Sequence, residues 1–361
     1  MALPSQGKLQ AGLGLVEVLV GLVLGLLTTL VIMQVFTLFE RDKRATTGSA
    51  DAQTNGAIAL YTIGRDLQLA GYGLLPATDS PLECDPSPQI DHDNNAATPA
   101  ITLAPVTITD GGVGVGATDA IDIRFGSSPI GGIPTVISAL FDTTVTIPNN
   151  LGCQVGDIAL VVSGSNCAAT RVTGPTDIAT PPVLSDPPDR THVTLESAAG
   201  VSAGANLACL GTWSRQVYAV NNGNLTLNGT PIISGIVNLQ AQYGVANTAD
   251  SNQVALWVNA VATGGVPWDA PTVQQRNRIK AVRLAVVARN SQYEKEEVTA
   301  ACSSTTEANP TGLCAWSGSV ASPAPTVNLS NDPDWQHYRY RVYETVIPLR
   351  NVIWSRDTFT P

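Results

Sequence analysis

The sequence predicts an α+β chain. A long N-terminal helix, whose first half spans a membrane, packs its second half on a large antiparallel β-rich globular domain. Residues 13–39 are an almost unbroken apolar run, and residues 57–70 repeat apolar side chains at helical spacing. From residue 76 onward, short β-branched runs are separated by Gly, Pro, Asn or Asp. With 32 glycines and 24 prolines, the composition suits many short strands joined by turns and suits a long helical bundle poorly. A net charge of −10 without clustered Lys or Arg excludes nucleic acid as a partner, because phosphate neutralisation needs such clusters.

The apolar run is interrupted by Glu17, Thr28, Thr29 and Gln34. At about 1.5 Å rise per residue it crosses a hydrocarbon core of about 30 Å. Cleavable signal segments are shorter, about 7–15 apolar residues. Here the nearest small-x-small site, Ala50-Asp51-Ala52, lies beyond the charged stretch 40–44. Glu17 is the anomaly. A carboxylate inside a spanning helix costs roughly 2.5–3.5 kcal/mol on insertion scales, so an idle anchor has no use for it.

Past the apolar run, Ala57, Leu60, Ile63, Leu67 and Ala70 form one helical stripe, with Arg65, Asp66 and Gln68 outside it. Gly71, Gly73 and Pro76 supply stop signals, so the helix is expected to end near Gly71. Thr46-Thr47-Gly48 and Asn55-Gly56 are poor helix interior and predict a kink or a melted segment.

The stretches AITLAPVTIT, DAIDIRFG, TTVTI, DIALVVS and THVTLES read as strands bounded by turn residues. RIKAVRLAVVARN and YRYRVYETVIPLRN alternate Arg or Lys with apolar residues, as half-buried strands do. Residues 73–361 are expected to form one elongated domain, with room for a division into two subdomains.

Catalytic signatures are missing from the sequence. GGVGVGA, residues 111–117, ends in Ala117 where a phosphate-binding loop needs glycine, and no helix follows, so it reads as a turn. FGSSPIG has Ile130 in place of the second glycine of a nucleophile elbow. His92, His192 and His337 are scattered, and the six tryptophans read as packing residues. No enzyme activity and no cofactor are expected. Asp91, Asp93 and Asn95 have the oxygen spacing of a calcium loop, but Ala96 replaces the turn glycine and Thr102 the closing glutamate. These three residues therefore read as a solvated acidic loop, with calcium the one metal they suit.

Cysteines 84, 153, 167, 209, 302 and 314 are even in number and form no CxxC pair, which fits disulfides outside the cytoplasm better than zinc. The pairing is open on sequence alone. Short-loop closure favours Cys153 with Cys167 and Cys302 with Cys314, leaving Cys84 for Cys209.

Gly12 followed by Leu13-Gly14-Leu15-Val16-Glu17, behind a short leader containing Lys8, resembles the type IV prepilin signal. NGAIALYTIGRDLQLAGYG, GIVNLQAQYGV and the two Arg-containing strands are similar to PilW-like minor pilins. The resemblance implies a leader at residues 1–12, cleavage between Gly12 and Leu13, and N-methylation of Leu13. It implies a membrane half of the helix at 13–39, an amphipathic half at 40–72, and Glu17 as an assembly residue. It also implies a non-catalytic minor pilin, single-pass in the inner membrane with a periplasmic domain and then at the tip of the pilus fibre. The implied partners are other minor pilins, the major pilin, prepilin peptidase, the inner-membrane assembly platform and a tip adhesin. A type II secretion pseudopilin shares the signal and the fold. A signal-anchored periplasmic enzyme or binding module is the reading from another class.

Overall fold

Helix α1 (Leu15–Leu69) is uninterrupted in the computed structural model, which describes residues 14–74, 89–90, 101–164, 166–174 and 190–353. The chain forms two units, Met1–Asp51 and Ala52–Pro361, so α1 belongs to the first as far as Asp51 and to the second beyond it. Of the two alternatives expected around residues 46–48 and 55–56, the melted segment is absent, and the residues there are helical. Within the second unit the reason is tertiary contact. Asn55 Nδ2 donates to the Ser234 carbonyl at 3.1 Å, and a Cβ on Gly56 would lie 2.3 Å from the Tyr343 ring. Packing that close outweighs a propensity deficit of about 1 kcal/mol.

The buried face of α1 is rotated from the predicted stripe. Ala52, Gly56, Ala59, Ile63, Leu67 and Ala70 are buried, Leu60 is half-buried against the core, and Ala57 is exposed. Asp66, expected outside, is only 4% exposed. Apolar spacing alone misses this face because glycine and alanine mark where the helix comes closest to the sheet. The helix ends as predicted, with Gly71 at φ +75°. Asn351 Nδ2 caps it by donating to the carbonyls of Gln68, Leu69 and Ala70.

Among the described residues twenty strands follow, all paired antiparallel. The first part of the chain contributes β1 (Gln89–Ile90), β2 (Ile101–Thr102), β3 (Val106–Thr109) and β4 (Ala120–Phe125). Then come β5 (Thr135–Val136), β6 (Ala139–Phe141), β7 (Thr144–Thr146), β8 (Ile158–Ser163), β9 (Asn166–Gly174), β10 (His192–Leu195) and β11 (Asn206–Gly211). A meander follows as β12 (Ser214–Asn221), β13 (Asn224–Leu227) and β14 (Thr230–Ser234), and then the chain passes to the long β15 (Ile236–Val245) of another sheet. The remainder is β16 (Leu256–Val258), β17 (Ala262–Thr263), β18 (Val266–Pro267), helix α2 (Val273–Arg276), β19 (Ile279–Arg289), β20 (Tyr340–Pro348) and helix α3 (Arg350–Ile353). Each run that sequence reading marked as a strand contains one.

Two sheets meet the second half of α1. One has the order β14-β13-β12-β4-β3 and the other β16-β15-β19-β20. Their inner faces share one core, with Ile63 and Leu67 of the helix against Ile121, Tyr218, Leu239, Leu284 and Val286. The β19 strand corrects the half-buried expectation. Val282, Leu284, Val286 and Ala288 face this core, while Ala285 and Val287 face a second one made with Leu313, Ala315, Trp316, Val327 and Leu329. A strand covered on both faces is apolar throughout, and its cations need local partners. Arg283 lies 4.6 Å over Trp316, and Lys280 Nζ donates to the Ala249 carbonyl at 2.9 Å.

The remaining large sheet has the order β5-β11-β8-β9-β10-β7-β6. Its two edges belong to one continuous run. Ile137 bonds Gly204 and Ala205 beside β11, and Ser138 N bonds Thr146 O of β7, so the sheet closes on itself. Its interior is a separate core of Ile137, Val145, Val161, Val172, Val193 and Leu207.

The disulfides correct part of the expected pairing. Cys302 is bonded to Cys314, but Cys153 is bonded to Cys209. Cys167 is also disulfide-bonded, though not to Cys153, and Cys209 is therefore not available to Cys84, which itself lies outside the described residues. The register explains the difference. Cys167 sits opposite Val162, at one end of the β8–β9 hairpin. Cys209 sits opposite Ala159, near the other end, where residue 153 precedes the strand. Ala159 lines the interior of the closed sheet with Cys153 and Cys209, whereas Val162 and Cys167 lie on its outer face, so strand alternation sends two cysteines close in sequence to opposite sides.

Candidate functional site

Leu15–Thr37 of α1 is long and apolar enough to cross a membrane, with mean hydropathy 2.6. Each of its side chains is exposed. The hydroxyls in the span are satisfied within the helix. Thr28 donates to the Leu24 carbonyl, Thr29 to those of Gly25 and Leu26, and Thr37 to that of Gln34. Backbone and threonines thus place no demand on a neighbour. Glu17, in the first turn, is the single ionisable residue of the span and is exposed. Gly14, Gly21 and Gly25 fall on the same side as Glu17 at 3.6 residues per turn, and a Cβ at any of the three would meet nothing within 4 Å. That side presents one carboxylate and a shallow glycine surface, which suits close approach by another apolar helix.

The second half of α1 is held by a buried polar clamp. Asp66 Oδ2 accepts from the Tyr218 hydroxyl at 2.6 Å, and Oδ1 accepts from Arg65 Nε and Nη2 at 3.0 and 2.9 Å. Burial, reinforced by Asp66, pushes the Tyr218 hydroxyl far above the ordinary tyrosine range, so it remains a donor at any physiological pH. On the same sheet Asp122 pairs with Arg124 and with Arg215, the latter through Nε at 2.8 Å. Burial lowers Arg124, whereas the hydrogen bond to Asp122 raises Arg215.

Asp119 joins the two sheets. Its Oδ1 accepts from Gly111 N at 2.9 Å and its Oδ2 from Ala241 N at 2.7 Å. The adjoining residues add to this seam. Asn238 Nδ2 donates to Ala117 O at 2.7 Å, and Asp119 N donates to Leu239 O at 2.8 Å. Burial raises Asp119 to about 7, against the lowering effect of the two N–H donors. The glycine-rich stretch 111–117 is a loop between β3 and β4, as predicted. These groups tie helix to sheet and sheet to sheet.

Of the residues predicted to matter, Glu17 is on the exposed helix described above. Gly12, Leu13, Cys84, Asp91, Asp93 and Asn95 lie outside the described residues. Among the described residues, no group of three or more His, Cys, Asp or Glu is placed to hold a metal. Sequence reading missed Asp66, Asp119 and Asp122. Asp119 and Asp122 lie in the strand-like run DAIDIRFG and Asp66 lies beside Arg65, but their partners Tyr218 (for Asp66), Ala241 (for Asp119) and Arg215 (for Asp122) are more than 90 residues away.

Residues 204–351, from the end of the closed sheet through β20, match the family model of type IV pilus-assembly protein W, PilW. No curated protein and no solved structure matches the chain. The matched stretch contains β12–β15 and β19–β20, which supply much of the core that receives α1 and one partner in each of the three polar contacts above. With its N-terminal apolar helix and large antiparallel β-rich domain, the chain is similar over residues 204–351 to type IV pilus-assembly protein W.

Proposed function

We propose that this protein is a minor pilin that helps to initiate type IV pilus assembly and stays at or near the fibre tip, with no catalytic step of its own. Cleavage after Gly12 leaves a methylated amine on Leu13, and the mature helix carries that amine and Glu17 about one turn apart. In the membrane each charge lacks water. The glutamate of an arriving subunit gains a partner in the amine of a neighbour already docked, and the insertion penalty becomes a driving force for ordered assembly. The observation that carries this reading is Glu17 itself, the single ionisable residue of an exposed apolar span. A type II secretion pseudopilin would use the same device, and the PilW match favours the pilus. The partners on this reading are the other minor pilins, the major pilin, prepilin peptidase, the assembly platform and a tip adhesin. The domain is periplasmic before assembly and on the fibre afterwards.

The test is Glu17→Ala in cells lacking the wild-type copy, counting surface fibres and minor pilins co-immunoprecipitated with the variant. The variant leaves the neighbour's Leu13 amine without a partner, and a penalty of roughly 2.5–3.5 kcal/mol for an unpaired charge corresponds to about 100-fold in association, so both numbers should collapse while the protein level holds. Undiminished fibres and partner recovery would refute the assembly role of Glu17.

A further inference from the structure

Strands β4 and β12 are neighbours in one sheet, paired from Tyr218 opposite Ile121 to Ser214 opposite Phe125. In sequence they are separated by residues 126–213, which contain the whole closed sheet β5–β11. The final pair, Phe125 with Ser214, is where a two-residue hairpin turn would otherwise join the strands. The chain leaves and re-enters through a narrow neck. Ser127 N and Ser128 N both donate to the Leu210 carbonyl, at 2.9 and 3.0 Å, and Thr212 N donates to Ser127 Oγ at 2.9 Å.

The closed sheet has the attributes of a unit of its own. Its core contains no residue of α1 or of the β3–β4–β12–β15–β19 frame, and the Cys153–Cys209 bond staples it internally. It touches the frame through an apolar contact, in which Leu74 and Leu103 meet Ile158, Leu160 and Leu210, through Tyr72, whose carbonyl accepts from Gly126 N at 2.7 Å and whose hydroxyl donates to Ser128 O at 2.9 Å, and through Cys167, whose disulfide partner lies outside residues 126–213. The frame for its part is complete without it. The helix, its clamp and the two sheets around the helix share one core that takes no side chain from β5–β11.

We propose that residues 126–213 are an inserted module, a closed β-sheet that opens and closes cooperatively by itself, and that the remaining pilin-like frame is sufficient for assembly. The second half of this proposal rests on the assembly reading above. The module is then a passenger, displayed by the fibre and free to serve a task other than polymerisation. With the formal charges of residues 126–213 predominantly acidic, that task does not involve a polyanion.

The first test uses the full chain and segment-resolved amide hydrogen exchange. Val161→Ala opens the interior of the closed sheet, and Val286→Ala opens the frame core. Each should speed exchange in its own unit by about ten-fold or more and leave the other within about two-fold. Parallel acceleration in both units by either variant would overturn the proposal. The second test replaces residues 126–213 by a two-residue turn, changes the uncovered Leu74 and Leu103 to threonine, and changes Cys84 to serine so that removal of Cys167 leaves no odd cysteine. Fibres per cell should stay within about two-fold of wild type, since the frame keeps its core. A fall to the level of cells lacking the protein would overturn the sufficiency of the frame. Failure of the assembly reading is separate, because it would appear as normal fibre numbers with Glu17→Ala in the otherwise intact chain.

Discussion

Asp119 should make this domain less stable as pH rises across the neutral range. The carboxyl is 2% exposed, and burial lifts it from the ordinary 3.8 to about 7 although two backbone N–H groups bond it. A folded-state value above the unfolded one means that the native protein holds its proton more tightly. The associated stability is fully present below about pH 4, declines through the window between the two values and is gone once pH has passed about 7. At about 1.36 kcal/mol per pH unit, the displacement is worth on the order of 4 kcal/mol. The measurement compares wild type with Asp119→Asn in urea unfolding of the detergent-solubilised chain, followed by fluorescence of the buried Trp268 and Trp316. The amide sets a donor against one of the two N–H groups, an offset of about 1–3 kcal/mol that does not vary with pH. What decides the matter is the slope. The wild type should lose ground against the variant by up to about 4 kcal/mol between about pH 4 and 7. A difference that is flat in pH would mean that the two N–H donors fully offset burial, leaving Asp119 ionised throughout.

Three other outcomes follow from the packing. Tyr218→Phe removes the donor to Asp66 Oδ2 and should cost about 1–3 kcal/mol in thermal unfolding, with a loss below about 0.5 kcal/mol ruling out a clamp at this position. Gly56→Ala puts a methyl 2.3 Å from the Tyr343 ring and 3.1 Å from Ala288 Cβ, so it should destabilise by about 1–3 kcal/mol despite its better helix propensity, and a gain in melting temperature would contradict the close approach of α1 to β20. Replacing Cys302 and Cys314 together by serine opens a bond of sequence separation 12, which should cost about 3 kcal/mol and expose residues 303–313 to limited proteolysis before any other described loop is cut.

The sequence by itself determined the elements whose cause is local. A span of apolar residues long enough for a bilayer needs no tertiary partner to be recognised, and neither does the lone Glu17 within it. Glycine at positive φ ended α1 where the sequence placed its stop, and β-branched runs became strands. Tertiary structure decided what depends on which surfaces meet. The buried face of α1 turned so that Gly56 and Gly64 lie against Tyr343 and Ile347, which exposed Ala57 and buried Asp66, because close helix–sheet contact selects small residues that a hydrophobic stripe does not count. The β19 strand became doubly covered only because residues 313–329 fold over its outer face. Cys153 met Cys209 instead of Cys167 because strand register, and not loop length, sets which cysteines are neighbours. The insertion of β5–β11 between two paired strands was equally hidden, since Phe125 and Ser214 are partners across a gap that no periodicity in the chain reports.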